Sequence, residues 1–148
     1  MKRVRQRDPT GCGLACIAMV AGINYEKVRA IGVNELGWDE TGEFYTGTRD
    51  LGELGRHFGI EVGKRRRPFK NFKALPNIAI LAVNYKKQTD TWHWCLYRGI
   101  KDDQFVYDPS QSIKTNKRRD FGRIKVKWFL PIRDCRDSYN TGKEEEAQ

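Results

Sequence analysis

Cys12 stands in the stretch RQRDPTGCGLACIAMVAG, between Gly11 and Gly13 and at the head of a run of apolar helix formers. A cysteine attacks a carbonyl as its thiolate, so a nucleophilic one needs a setting that favours negative charge. The first turn of a helix is such a setting, because its unpaired N–H groups and aligned peptide dipoles carry partial positive charge. The Cys12 backbone N–H would also serve as one donor to the oxyanion of a tetrahedral intermediate. Gln6, six positions earlier, carries an amide that could supply a second donor. The flanking glycines allow a sharp turn and, read from sequence alone, leave room for a substrate chain beside the sulfur.

A thiol nucleophile needs a base, and the chain has two histidines. His57 falls late in a charged helical segment and reads as structural. His93 falls within WHWCLY, between two tryptophans on an expected strand, where an imidazole is held in one orientation and partly desolvated. Asp108, in YDPS, ends the next expected strand. If the two strands are neighbours, its carboxylate can accept the imidazole N–H and fix the tautomer.

Each of these residues also has a plainer reading. Cys12 could be a small packing residue, His93 a satisfied core histidine, Asp108 a turn cap and Gln6 an exposed N-terminal glutamine. The other three of the four cysteines are Cys16, Cys95 and Cys135. Cys16 lies one helical turn beyond Cys12 and reads as core, while Cys135 has no assigned role. Cys12, Cys16, His93 and Cys95 could in principle make a tetrahedral zinc site, but their spacings are not those of closed structural zinc loops. No metal or other cofactor is expected. A chain this long does not need disulfide staples, so the thiols are expected to be reduced. Trp92 and Trp94 could line a groove or pack the sheet.

The elements that must position these groups follow from periodicity and punctuation. Residues 13–22 are apolar on nearly every side and predict a helix buried all round, stopped by Gly22. Asn24 can cap a second helix, YEKVRAIG, ending at Gly32. Residues 33–47 read as a loop. Thr46 or Thr48 can cap a third helix, RDLGELGRHF, with Leu51, Leu54 and Phe58 on one side and Gly59 as the stop. From residue 60 the pattern changes to strands: IEVGKRR, NIAILAVNY at 77–85, TWHWCLYRG, QFVYD and RIKVKWFLPI at 123–132. The turns KKQTD and IKDD predict an antiparallel meander through the middle strands. Helices followed by a sheet make the fold class α+β. Residues 1–140 are expected to form one domain, with 141–148 a polar tail.

The order Gln6, Cys12, His93, Asp108, with the cysteine starting an N-terminal helix and the other two on a later sheet, resembles the papain-like peptidases. More narrowly, it resembles those that remove double-glycine leader peptides in bacteriocin processing and are found fused to ABC transporters. The matching features run from Gln6 and CGLACIAMV through YEKVRAIG, TGTRDLGELGRHFGIEV and LPNIAILAV to the HWCLY strand and YDPS. The resemblance implies a cysteine peptidase with Cys12 as nucleophile, His93 as general base, Asp108 as orienting acid and Gln6 as oxyanion donor. It implies a peptide or protein substrate with small residues such as Gly-Gly at the scissile bond. One departure is Gly11, where the family usually has Asp. No transporter segment follows within the 148 residues, so a stand-alone form is expected.

Composition bounds the alternatives. Lys and Arg outnumber Asp and Glu 28 to 19, a net charge of +9, concentrated at the N-terminus, at 64–70 and at 114–127. Such charge admits an anionic partner, but no nucleic-acid motif accompanies it, so nucleic acid is not the expected partner. The basic N-terminus followed by GLACIAMVAGI imitates a signal peptide, but Asp8 and Pro9 interrupt it and no small-residue cleavage site follows. No stretch reaches the roughly 20 apolar residues of a membrane span. A cytoplasmic location is therefore expected. The rival readings are a deamidase or acyl transferase using the same triad, and a non-catalytic basic binding module on the same scaffold.

Overall fold

The computed structural model describes residues 1–136, so the expected polar tail at 141–148 lies outside the described residues. Helix α1 is Cys12–Ala21, one residue earlier than its apolar run predicts, and all ten of its residues are buried. Gly22 ends it in the left-handed conformation, with φ 71°. Helix α2, Tyr25–Asn34, is capped by Asn24, whose side-chain oxygen accepts the Lys27 N–H at 2.9 Å. It runs through Gly32 instead of stopping there. Gly32 is needed for space, because the Trp38 ring packs where a β-carbon would sit.

Helix α3 is Thr48–Arg56. Neither threonine caps it: the Gly47 N–H is taken by the Asp50 carboxylate at 2.8 Å. Gly59, with φ 72°, turns the chain into the sheet. The strands are β1 (Ile60–Val62), β2 (Arg67–Pro68), β3 (Ile78–Lys86), β4 (Thr91–Ile100), β5 (Asp103–Tyr107) and β6 (Val126–Asp134). The stretch expected as one strand from residue 60 to 66 is broken at Gly63, against which the Pro131 ring packs.

All pairings are antiparallel, in the order β1-β6-β3-β4-β5, with β2 pairing β6 beside this path. The expected meander is therefore β3-β4-β5. The last strand does not extend it; β6 crosses back to lie between β3 and β1. Side chains alternate between the two faces of the sheet. Ile80, Ala82, Trp94, Leu96, Trp128 and Leu130 pack with the helices. Leu81, Val83, Cys95, Tyr97 and Val106 form a second cluster with Phe72 and Phe121. No helix among the described residues is long and apolar enough to cross a membrane.

Candidate active site

Cys12 is the first residue of α1, and no side chain caps that helix end. The helix dipole and the free amides of the first turn therefore act on the sulfur. Burial of α1 on every side fixes where this end lies, and α1 packs against β4. The Cys12 Sγ accepts the backbone N–H of Trp94 at 3.4 Å, so the cysteine docks on the strand that carries His93.

His93 Nε2 lies 2.7 Å from Asp108 Oδ1. The neighbour relation between β4 and β5 brings them together, with Leu96 opposite Tyr107 and Asp108 immediately after. Burial works against the charged form of the imidazole, but the hydrogen bond to Asp108 and the influence of the nearby Cys12 and Cys95 sulfurs outweigh that cost and hold the imidazolium up to about 12. For Asp108 burial favours the neutral acid. The His93 hydrogen bond and charge, the Ser110 amide and Arg118 prevail, holding its carboxyl down at about 2. Burial pushes the Cys95 thiol up to about 11, against the pull of His93.

Gln6 is buried beside the same group, its backbone N–H donating to the Pro109 carbonyl at 2.8 Å. Its side-chain Nε2 donates to the carbonyls of Asp8 at 3.1 Å and Pro9 at 2.9 Å, and so clamps the turn leading into Cys12. Cys12 and His93 share one groove, with Asp108 bonded to His93, while Gln6 is anchored to the Asp108–Pro109 turn by its backbone and to the Asp8–Pro9 turn by its side chain. The zinc set is not gathered in that form: among the described residues the donor group is His93, Cys95 and Asp108, with ligand atoms within 4.8 Å of one another. Cys16 is wholly buried in α1, and all four cysteines are free thiols.

A groove of about 500 Å³ opens on Cys12, lined among others by Thr46, Gly47, Trp92, His93 and Trp94. The glycines beside Cys12 do not make this room. Both are buried; a β-carbon on Gly11 would meet the Tyr25 hydroxyl, and one on Gly13 the Thr46 side chain. Tyr25 donates to Asp8 Oδ2, which also pairs with Arg29 at 3.3 Å.

Two partners of Asp108 carry no distinguishing signal in the sequence. Arg118 Nη1 lies 2.9 Å from Asp108 Oδ2, with its side chain largely buried. Arg3 donates to the main-chain oxygen of Asp108 at 2.8 Å and to those of Ser110 and Ile113. The one signal for Arg118 was its place in the basic segment soon after YDPS, and nothing there separates it from neighbouring surface charge.

A model of the peptidase C39 family matches residues 1–128. None of the curated proteins compared with the chain matches it. Among solved structures, the chain is similar to a double glycine motif protease from an AMS/PCAT transporter, crystallised in complex with the leader peptide. The TM-score is 0.56 at 18% identity, over 87% of this chain and 88% of that one. It is also similar to the peptidase domain of Streptococcus ComA, a bifunctional ABC transporter involved in a quorum sensing pathway. There the TM-score is 0.58 at 22% identity, over 88% of this chain and 96% of the other. At these identities the likeness is one of fold.

Proposed function

The chain belongs to the peptidase C39 family and is a cysteine peptidase, and we propose that it cuts a peptide beside small residues such as Gly-Gly, with Cys12 as nucleophile. The observation that carries this assignment is the position of His93, which is bonded to Asp108 and lines the same groove as Cys12, whose sulfur is held by the N–H of the next residue, Trp94. Support for a double-glycine substrate comes from the structural relative whose protease acts at that motif; the glycines flanking Cys12 lend none.

In this reading His93 takes the Cys12 proton as general base, and its bond to Asp108 favours the imidazolium that results. The sulfur attacks the scissile carbonyl carbon, and the C=O π-electrons move onto oxygen. The Cys12 N–H at the uncapped start of α1 donates to that oxyanion. Collapse breaks the C–N bond, and His93 passes its proton to the leaving amine. Neutral His93 then deprotonates a water, which attacks the thioester and releases the carboxylic acid and Cys12. Asp108 keeps the imidazole oriented throughout. Gln6 serves as second oxyanion donor by exchanging one of its two carbonyl partners for the substrate oxygen. Four free thiols fit a reducing cytoplasm.

The test is cleavage of a quenched-fluorescent peptide with a central Gly-Gly, read by fluorescence and by mass of the products. Cleavage after the second glycine that disappears in Cys12→Ala is the expected result. Ammonia release from a glutamine peptide without chain cleavage would instead assign the deamidase reading. Absence of any turnover or thioester adduct would favour a binding module.

A further inference from the structure

Beside the groove, and joined to it through Trp92, runs a wall of aromatic rings and cations whose Arg66, Tyr85, Trp128 and Lys127 lie outside the groove lining itself. Trp92 lines the groove beside His93 and packs edge-on against Trp128, with centroids 4.8 Å apart. Arg66 lies over both rings, its guanidinium carbon 3.9 Å from the Trp128 centroid and 5.0 Å from that of Trp92. Tyr85 extends the surface at 5.6 Å from Trp128, and the Lys127 ammonium sits 5.6 Å from the Tyr85 ring. Lys86 lines the groove itself.

Arg66, Lys86 and Lys127 are all exposed, and none has a carboxylate partner among the described residues. The acidic side chain in the groove lining, Asp90, accepts the Tyr85 hydroxyl at 2.7 Å. Asp90 keeps its charge, so the three cations exceed the one carboxylate and the local field stays positive. A guanidinium resting on an aromatic face keeps its in-plane N–H donors free, and it is weakly hydrated, so a carboxylate can displace its water at small cost. The stacking also holds Arg66 in place before any ligand arrives, which reduces the side-chain entropy lost on binding. Electrostatic complementarity of this kind selects partners more than it adds raw affinity.

We propose that this wall is a specificity surface for an acidic side chain of the peptide substrate, with Arg66 as its main contact and Lys86 and Lys127 supporting it. The inference rests on the groove being the peptide-cleaving site, and it names the substrate class: a peptide carrying Glu or Asp near the scissile bond, its neighbouring apolar residues lying on Trp92. Nucleic acid would present the same sign of charge but would not need the thiol beside it.

The experiment uses fluorescein-labelled dodecapeptides with a central Gly-Gly, in which one Glu is walked through the other positions and each is compared with its Gln twin. Binding is read by anisotropy on Cys12→Ala protein at low salt, and cleavage on the wild type in parallel. The expected result is about fivefold tighter binding of the Glu peptide at one or two adjacent positions, fading with added salt. Arg66→Glu should reverse the order, so that a Lys peptide binds better than its Glu counterpart; a misfolded protein could not deliver that reversal. Equal binding of Glu and Gln peptides at every position, or a Glu preference surviving in Arg66→Glu, overturns the proposal. So does a short oligo-dT that outcompetes the Glu peptide. Cleavage without charge preference would leave the peptidase reading standing and overturn this one, while charge-selective binding without any cleavage would overturn the substrate role together with the peptidase reading and leave only an acidic-peptide binding surface.

Discussion

Arg118 and His93 hold opposite oxygens of one carboxylate: the guanidinium reaches Asp108 Oδ2 at 2.9 Å, and the imidazole reaches Oδ1 at 2.7 Å. The Ser110 N–H adds a third bond on Oδ1 at 3.0 Å, and Arg3 pins the main-chain oxygen. The carboxylate cannot rotate without breaking a charge-assisted hydrogen bond. Arg118 is itself held by Asp120 through two bonds, Nε to Oδ1 at 3.0 Å and Nη2 to Oδ2 at 2.9 Å. The alignment of His93 toward Cys12 thus depends on a chain of paired groups that ends in the basic segment at 114–127.

Asp108→Asn tests the middle of that chain. His93 holds its proton up to about 12, with Asp108 the largest favourable partner. Removing that charge lowers the imidazolium's pKa, so the alkaline limb of kcat/KM should move to lower pH. The plateau rate should fall about 100-fold or more, as expected when an orienting carboxylate is lost. The linkage signs are opposite for the two partners. His93, raised, stabilises the fold fully below the ordinary imidazole range and progressively less as pH rises toward about 12. Asp108, depressed to about 2, stabilises above the ordinary carboxylate range and loses this as pH falls through about 2. Pairing pH–rate profiles with the pH dependence of Cys12 alkylation by iodoacetamide checks this; an unmoved alkaline limb in the variant would contradict it.

Arg118 acts through Asp108, so its variants should separate kcat from KM. Arg118→Ala leaves a buried carboxylate oxygen without its cation and should cost about 2–4 kcal/mol of stability. In the folded fraction kcat should drop about tenfold with KM nearly constant, the mark of geometry lost at a group that does not touch substrate. Arg118→Lys should restore part of kcat by returning the charge without the fork. Urea denaturation and steady-state kinetics on both variants measure it, and equal kcat in all three proteins would refute the positioning role.

These contrasts show what was legible in the sequence. Cys12, His93, Asp108 and the buried helix α1 could be read because each carries a local signal: a cysteine at a helix start, a histidine in an aromatic strand, an Asp-Pro strand end. Arg118 carries none, since an arginine in KTNKRRD looks the same whether it faces solvent or a carboxylate ten residues back. Gly32 looked like a helix stop because sequence does not show Trp38 arriving against it. The crossing of β6 to the far side of β3 is a long-range pairing, and no local turn signal specifies it.

Gly11 stands where the resembling peptidases usually have an acid, and its requirement is spatial. Its backbone, at φ −88° and ψ 18°, is open to other residues, but a β-carbon would overlap the Tyr25 hydroxyl and stand 2.9 Å from its Cζ. Gly11→Ala should therefore destabilise by about 1–3 kcal/mol through overpacking. Tyr25→Phe in the same chain should recover only part of that, because the ring carbon still crowds the site and Asp8 loses a donor. A double-mutant cycle by chemical denaturation checks the coupling; strictly additive effects would mean the clash is relieved elsewhere.

Gln6 has two roles to separate, clamp of the turn before Cys12 and proposed oxyanion donor, and its variants can divide them. The amide nitrogen gives both protons to the Asp8 and Pro9 carbonyls, while Oε1 is buried without a partner among the described residues. If one of those N–H groups switches its hydrogen bond to the substrate oxyanion in the transition state, Gln6→Ala should lower kcat about 100-fold, in the range seen for deleting one oxyanion donor. Gln6→Glu, which sets a carboxylate against two carbonyl oxygens, should lose stability as well as rate. A peptide aldehyde decides between the roles, since its hemithioacetal with Cys12 presents the same oxygen as the intermediate. A donor makes aldehyde affinity fall in step with kcat across the variants. A pure clamp leaves aldehyde affinity and kcat within about twofold once the folded fraction is accounted for, and shows only as a lower melting temperature.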